Sequence, residues 1–277
     1  MSWRKLHLLL MTPALTACMS VVYSPRVPRT KFYDPKQVEL SYEDVDFYNA
    51  DGTLLAGWWF DSKTKPAKGT VVFFHGNGEN LTTHFLSMSW LPAEGYNYFI
   101  FDYPGYGVSD GVPSPDTVLS SGKAAIQWVH DNKDSSPLII YGQSLGGNIA
   151  HRAVLDMKDQ IAIKALILDG TFLSYRSVGR DVLSRHWLTW LFQPLGWLLM
   201  SDTYAPKDLA RRGTIPLLVM HGQKDSVVMP KFGEQLYNES PEPKTFWKIE
   251  KGHHGDSFWG DNKEYRQKLL DFLAGIH

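Results

Sequence analysis

Residues 138–147, Leu138-Ile139-Ile140-Tyr141-Gly142-Gln143-Ser144-Leu145-Gly146-Gly147, decide the fold. An apolar, β-branched run reads as a strand, and the residues from 146 to 157 have helical spacing. Between them stands one serine in a Gly-X-Ser-X-Gly pattern. At a strand-to-helix junction this pattern is a nucleophile elbow: the glycines remove side chains that would clash in a tight, strained turn, and the turn lifts the hydroxyl above the sheet. The helix that follows places the partial positive charge of its N-terminus beneath that hydroxyl. Gly147 extends the small surface on which helix and strand can approach closely.

Working outward, the same alternation recurs along the chain. Short β-branched and aromatic runs occupy 70–74, 96–101, 165–168, 216–220 and 245–249, and stretches of helical spacing fall at 81–93, 116–130, 231–239 and 263–274. Strands that are apolar on both faces and separated by helices predict a mostly parallel sheet covered on both sides, an α/β architecture. Ahead of it, 45–48 and 54–60 flank the turn Asn49-Ala50-Asp51-Gly52 and predict an antiparallel hairpin. The interval 171–213 is longer than a simple crossover needs and predicts an inserted, mostly helical cap. It carries Trp187, Trp190, Phe192 and Trp197, suited to an acyl-chain pocket, to a lipid surface or to ordinary packing on the core.

A serine hydroxyl is a weak nucleophile and needs a base, which in turn needs an orienting group. Past the strand at 216–220 comes His221-Gly222-Gln223-Lys224-Asp225, and past the last strand comes Gly252-His253-His254-Gly255-Asp256. Asp225 is the expected acid, with Asp169, also past a strand, as its rival; His253 and His254 compete for the base. The developing oxyanion needs two backbone donors. The N–H of Leu145 is one, and the glycine-flanked N–H of Asn77 in His75-Gly76-Asn77-Gly78 is the expected second. His75 reads as a structural residue at a strand end, and Asp102 precedes the nucleophile and is out of order for the acid.

Composition excludes other classes. In 277 residues, 28 Lys and Arg nearly balance 29 Asp and Glu, so the chain has no net field to gather nucleic acid. The single cysteine, Cys18, rules out an internal disulfide and a cysteine cluster for zinc. Its place is informative, because Arg4 and Lys5, an apolar stretch over 6–15 and small residues before Cys18 have the layout of a signal peptide. Leu15-Thr16-Ala17-Cys18 resembles a bacterial lipobox, which implies that residues 1–17 are removed and Cys18 is lipidated. Residues 18–37, rich in proline, then read as a tether to a domain over 38–277. With Met19 rather than aspartate after the cysteine, the expected location is the outer membrane facing the periplasm, anchored by lipid; no later stretch has the roughly 20 apolar residues needed to span a bilayer.

HGNGEN (75–80), FDYPGYG (101–107), GQSLGG (142–147), HGQKD (221–225) and GHHGD (252–256), in this order, resemble the small serine hydrolases of the α/β-hydrolase superfamily, in the branch with membrane-associated esterases and protein depalmitoylases. The resemblance covers about 45–273 and implies the chain order Ser, Asp, His for a triad. Relatives that read Gly-X-His-X-Asp at the final loop favour His254 over His253, and the extra histidine is the departure from their pattern. The implied activity is hydrolysis of an ester or thioester through an acyl-enzyme by Ser144, His254 and Asp225, with the Asn77 and Leu145 amides at the oxyanion. The implied substrate is a small ester or acyl compound of lipid-like character, with no metal or organic cofactor. An amidase on the same residues and a non-catalytic binding module of the cell envelope are the alternatives.

Overall fold

The computed structural model describes residues 23, 30–133, 137–185, 187–194, 200–206 and 208–276. Cys18, the signal-like segment 1–17 and Trp197 lie outside them. Eight strands form one sheet: β1 (Glu43–Tyr48), β2 (Leu54–Phe60), β3 (Gly69–Phe74), β4 (Tyr96–Phe101), β5 (Leu138–Gln143), β6 (Ile163–Asp169), β7 (Leu217–Gly222) and β8 (Lys244–Ile249). Their spatial order is β1-β2-β4-β3-β5-β6-β7-β8. β2 runs antiparallel to both β1 and β4, and every pairing from β4 to β8 is parallel. The predicted hairpin is thus the antiparallel margin of a parallel sheet.

The central strands are buried on both faces, so successive residues feed two separate cores. Val72 and Phe74 of β3 join one core with α2 (Pro115–Asn132), α3 (Leu145–Met157) and α5 (Pro230–Glu239). Val71 and Phe73 join the other, with the chain over 81–91 and α6 (Glu264–Gly275). Removing a fully buried phenylalanine such as Phe73 to alanine would cost about 3–5 kcal/mol, since both transfer energy and a cavity are involved.

The stretch 81–93, expected as one helix, is broken. α1 (Leu81–His84) makes one turn and passes into two 3-10 turns, Phe85–Met88 and Leu91–Glu94. Pro92 lacks the N–H that a continuous helix would use, and Gly95, at φ 93°, ends the run. Between β6 and β7 lies α4 (Tyr175–Ser184), a 3-10 turn at Trp190–Phe192 that packs back on it, and another at Leu209–Arg212.

Part of the stretch read as a tether lies on the domain. Pro35–Val38 forms a capped 3-10 turn, the Asn80 amide donates to the Thr30 carbonyl at 2.8 Å, and the Phe32 N–H donates to Thr82 Oγ1 at 3.0 Å. Tyr23 is 3% exposed, and its hydroxyl lies 3.2 Å from that of Tyr175 on α4.

Candidate active site

The elbow is built by three close approaches. A Cβ on Gly146 would run into the carbonyl oxygens of Phe74 and His75, one on Gly142 would lie 2.6 Å from Gly147 Cα, and one on Gly147 would lie 2.6 Å from Thr171 Cβ. Only glycine lets α3 seat this tightly on β3, β5 and the loop after β6. Ser144 is strained, with φ 54° and ψ −122°, a positive-φ backbone that a residue with a side chain adopts only when its surroundings hold it. They do hold it. Its N–H donates to the Asp169 carbonyl at 2.8 Å, and its carbonyl accepts from Thr171 Oγ1 at 2.7 Å and from the Gly147 N–H at 3.0 Å. Asn148 Nδ2 braces Thr171 from behind at 3.0 Å.

Ser144 stands at the N-cap of α3, where a serine ordinarily bonds the first helical amides, yet its side chain caps nothing. Its hydroxyl instead faces His254, with Oγ 2.9 Å from Nε2, while Nδ1 lies 2.7 Å from Asp225 Oδ2. An ionised carboxylate can only accept, so Nδ1 carries the proton and Nε2 is left to accept from the serine. The three side chains come from the loops after β5, β7 and β8, so the parallel sheet delivers them to one rim.

Asp225 is 3% exposed and its Oδ1 accepts from the amides of Val227 and Val228 at 2.8 and 2.9 Å. Burial alone would raise its pKa, but hydrogen bonds with His221 and His254 and with the Val228 amide outweigh that and hold the carboxyl well below the usual range. It is therefore ionised at any physiological pH. Asp169, the rival, is taken elsewhere: its carboxylate accepts from the hydroxyls of Tyr141 and Ser257, both at 2.7 Å. Burial raises its pKa despite those bonds. His253 does not join the group, and its N–H donates to Asp256 Oδ1 at 2.8 Å, which shapes the turn that presents His254.

The two expected oxyanion donors flank the serine. Leu145 opens α3, and a Cβ on Gly76 would lie 3.5 Å from Ser144 Cβ, which sets the Gly76 backbone, next to Asn77, beside the serine. Asn77 is anchored through Oδ1, which accepts from the Tyr106 hydroxyl at 2.5 Å. That bond gives the glycine-rich turn 101–107 a use beyond shaping the rim.

Two contributors were not assigned from sequence. His221 is fully buried, its Nε2 2.9 Å from the Val228 carbonyl and 3.4 Å from Asp225 Oδ2, so it backs the acid loop from beneath. Burial opposes charge there, but Asp225 and the Val228 carbonyl raise its pKa. The i, i+4 spacing of His221 and Asp225 across one turn was the available signal. Arg185, at the end of α4, reaches across to the same loop: its guanidinium donates to the carbonyls of Ser226 at 2.5 Å and Val227 at 3.1 Å, and it pairs with Asp181. Nothing in a solvent-side arginine of a helix announces such a staple.

Residues 65–211 match the family described as "Serine aminopeptidase, S33". A curated relative, the uncharacterized protein YfhR of Escherichia coli K12, is 36% identical over 254 residues, spanning 89% of this chain and 84% of that protein. The protein bem46 of Schizosaccharomyces pombe is 28% identical over 260 residues, 90% of this chain and 82% of its own. Among solved structures, an α/β hydrolase of Vibrio vulnificus superposes with a TM-score of 0.74 at 18% identity, covering 96% of this chain and 94% of the other. An esterase of Pyrococcus furiosus superposes with a TM-score of 0.67 at 22% identity over 92% and 97%. With an elbow serine at the rim of a mostly parallel eight-stranded sheet, this chain is a hydrolase that belongs to the serine aminopeptidase S33 family of the α/β-hydrolase superfamily.

Proposed function

We propose that the chain is a serine hydrolase that cleaves a carboxylic ester or thioester through an acyl-enzyme. One observation carries the reading: Ser144 Oγ lies 2.9 Å from His254 Nε2, whose Nδ1 lies 2.7 Å from an ionised, buried Asp225. Ser144 attacks the acyl carbon, and His254 takes the hydroxyl proton and returns it to the departing alcohol or thiol. Asp225 stabilises the imidazolium that forms between those steps. The amides of Leu145 and Asn77 donate hydrogen bonds to the oxyanion that develops on the carbonyl oxygen. Water then repeats the attack and frees the acid.

The Pyrococcus protein that shares this fold is an esterase, which makes esters the first substrate class to assay. The family description supports a second reading, cleavage of an N-terminal peptide bond by the same residues. A fluorophosphonate probe tests the nucleophile: it should label the protein, and Ser144→Ala should lose the label with an unchanged melting temperature. Labelling that survives Ser144→Ala removes the serine from the role. p-Nitrophenyl esters set beside aminoacyl p-nitroanilides then separate the two substrate classes by which chromophore is released.

The placement of the protein is part of the proposal. Cys18, with the signal-like segment before it, supports a mature chain anchored by lipid in the bacterial cell envelope, at the outer membrane and facing the periplasm. Cys18→Ser should abolish palmitate incorporation and release the protein from membranes.

A further inference from the structure

We propose that the cap between β6 and β7 docks on the phospholipid bilayer that holds the anchor, with Trp187, Trp190, Leu191 and Phe192 entering the headgroup boundary and Arg180 at a lipid phosphate. The inference rests on the lipid-anchor reading of Cys18. Trp187 is 79%, Leu191 75% and Trp190 58% exposed, in a chain whose other described tryptophans are buried or half-buried. Tryptophan beside arginine is the composition that partitions to a bilayer surface, where an amphipathic ring is favoured over either water or hydrocarbon and anionic headgroups attract the cation. Arg180 is exposed and shares a 520 Å³ cavity with Trp190, Leu191, Gln193 and Pro194, roomy enough for a headgroup.

Chain length limits how far the anchor can lie from this helix. Four residues separate Cys18 from Tyr23, so at full extension the lipidated residue lies within about 18 Å of the point where Tyr23 is buried against Tyr175. Tyr175 begins α4, whose ten residues span about 15 Å. The exposed aromatics follow its end and fold back along it: Thr189 Oγ1 donates to the Leu183 carbonyl at 2.8 Å, and Arg180 Nε lies 3.4 Å from Gln193 Oε1. Tyr23, five positions beyond Cys18, and the aromatic patch are thus both attached to one short helix. A lipid at Cys18 holds that helix close to the bilayer whatever the rest of the chain does.

Charge agrees. Residues 19–37 hold four Lys and Arg against one Asp, and 171–213 hold six against three, while the whole chain carries −1; outside these stretches and the first eighteen residues the protein is net negative. Arg212 is buried and Arg185 is paired with Asp181, so the attraction of an anionic membrane falls on residues 19–37 and on Arg180 beside the patch.

The test uses the full chain, purified with its lipid and reconstituted into phosphatidylethanolamine and phosphatidylglycerol vesicles, with and without dibrominated acyl chains. Intact mass reports whether Cys18 carries diacylglycerol, and flotation reports attachment. Tryptophan emission should fall with brominated lipid, and Trp187→Ser with Trp190→Ser should remove at least half of that quenching without changing flotation or the melting temperature. Quenching that is absent, or equal in the double variant, while the lipidated protein floats overturns the docking, and so does a patch protected instead by a second protein. A chain whose mass shows no lipid, yet which floats with anionic vesicles and loses flotation in the double variant, keeps the docking and removes only the anchor.

Discussion

Of the histidine-aspartate pairs at the carboxyl rim of this sheet, His75 with Asp102 and His254 with Asp225 make the sharpest contrast, because only the second has a serine hydroxyl at its open end. His75 Nε2 lies 3.3 Å from Asp102 Oδ1 but is not aligned to bond it, and both side chains are sealed from solvent. Asp102 spends Oδ1 on the Leu81 N–H at 2.8 Å, and His75 is packed between the rings of His84 and Tyr103. His254 and Asp225, by contrast, are bonded at 2.7 Å, and the His254 side chain is 22% exposed with its far nitrogen on the serine. The same two residue types form a sealed brace in one place and, on the proposed reading, a base with its orienting carboxylate in the other. What separates them is alignment, access and a hydroxyl at the open end.

The largest expected difference is in turnover. Asp225→Asn should lower the rate on an activated ester by about 10³–10⁴-fold, because the amide favours the wrong imidazole tautomer, while Asp102→Asn leaves the rate within a few-fold. Equal losses in the two variants would erase the distinction drawn here. Next comes stability. Asp102→Asn loses the acceptor best suited to the buried Leu81 amide and should cost about 1–3 kcal/mol by denaturant unfolding, read alongside an unchanged KM.

A third contrast is with pH. His84, stacked on His75, has its pKa pushed down to about 3, first by burial and then by the neighbouring imidazole. Its unfolded value is ordinary, so between about 6.5 and 3 the unfolded chain binds a proton that the folded chain refuses, and stability falls on acidification. His84→Phe should flatten that slope by up to about 1.4 kcal/mol per pH unit. A slope identical to that of the parent would show that His84 takes its proton in the fold. The smallest effect belongs to His253, whose backbone and not its ring does the shaping; His253→Ala should change the ester rate less than about twofold, against a loss of about 10³-fold or more for His254→Ala.

The parts of this molecule that were legible in its sequence are those set by backbone period and by glycine. Strand runs, the hairpin and the elbow follow from apolar patterning and from positions where a Cβ has no room, and those are local properties. Apolar spacing predicts one helix over 81–93, but Pro92 lacks the N–H that such a helix would use there and the stretch breaks into short turns. Ser144, Asp225 and the pair His253-His254 could be singled out because parallel strands bring all their carboxyl ends to one rim, so past-the-strand positions converge whatever their separation in the chain; the preference for His254 over His253 came from the family resemblance alone. Asp169 against Asp225 could not be decided that way. Which acid reaches the imidazole depends on Tyr141 and Ser257 occupying one of them, a matter of side-chain reach that sequence order does not encode. Arg185 and Tyr23 were invisible for the same reason.

The Arg185 staple has a mechanical meaning. One guanidinium grips both the final turn of α4, through Asp181, and the peptide carbonyls at 226 and 227, whose neighbouring amides clamp Asp225. Cap and acid are therefore geared together: a tilt of the helix cannot proceed without either shearing that guanidinium loose or turning the carboxylate with it. A push on the outside of the cap would reach the imidazole's counterion through that one side chain.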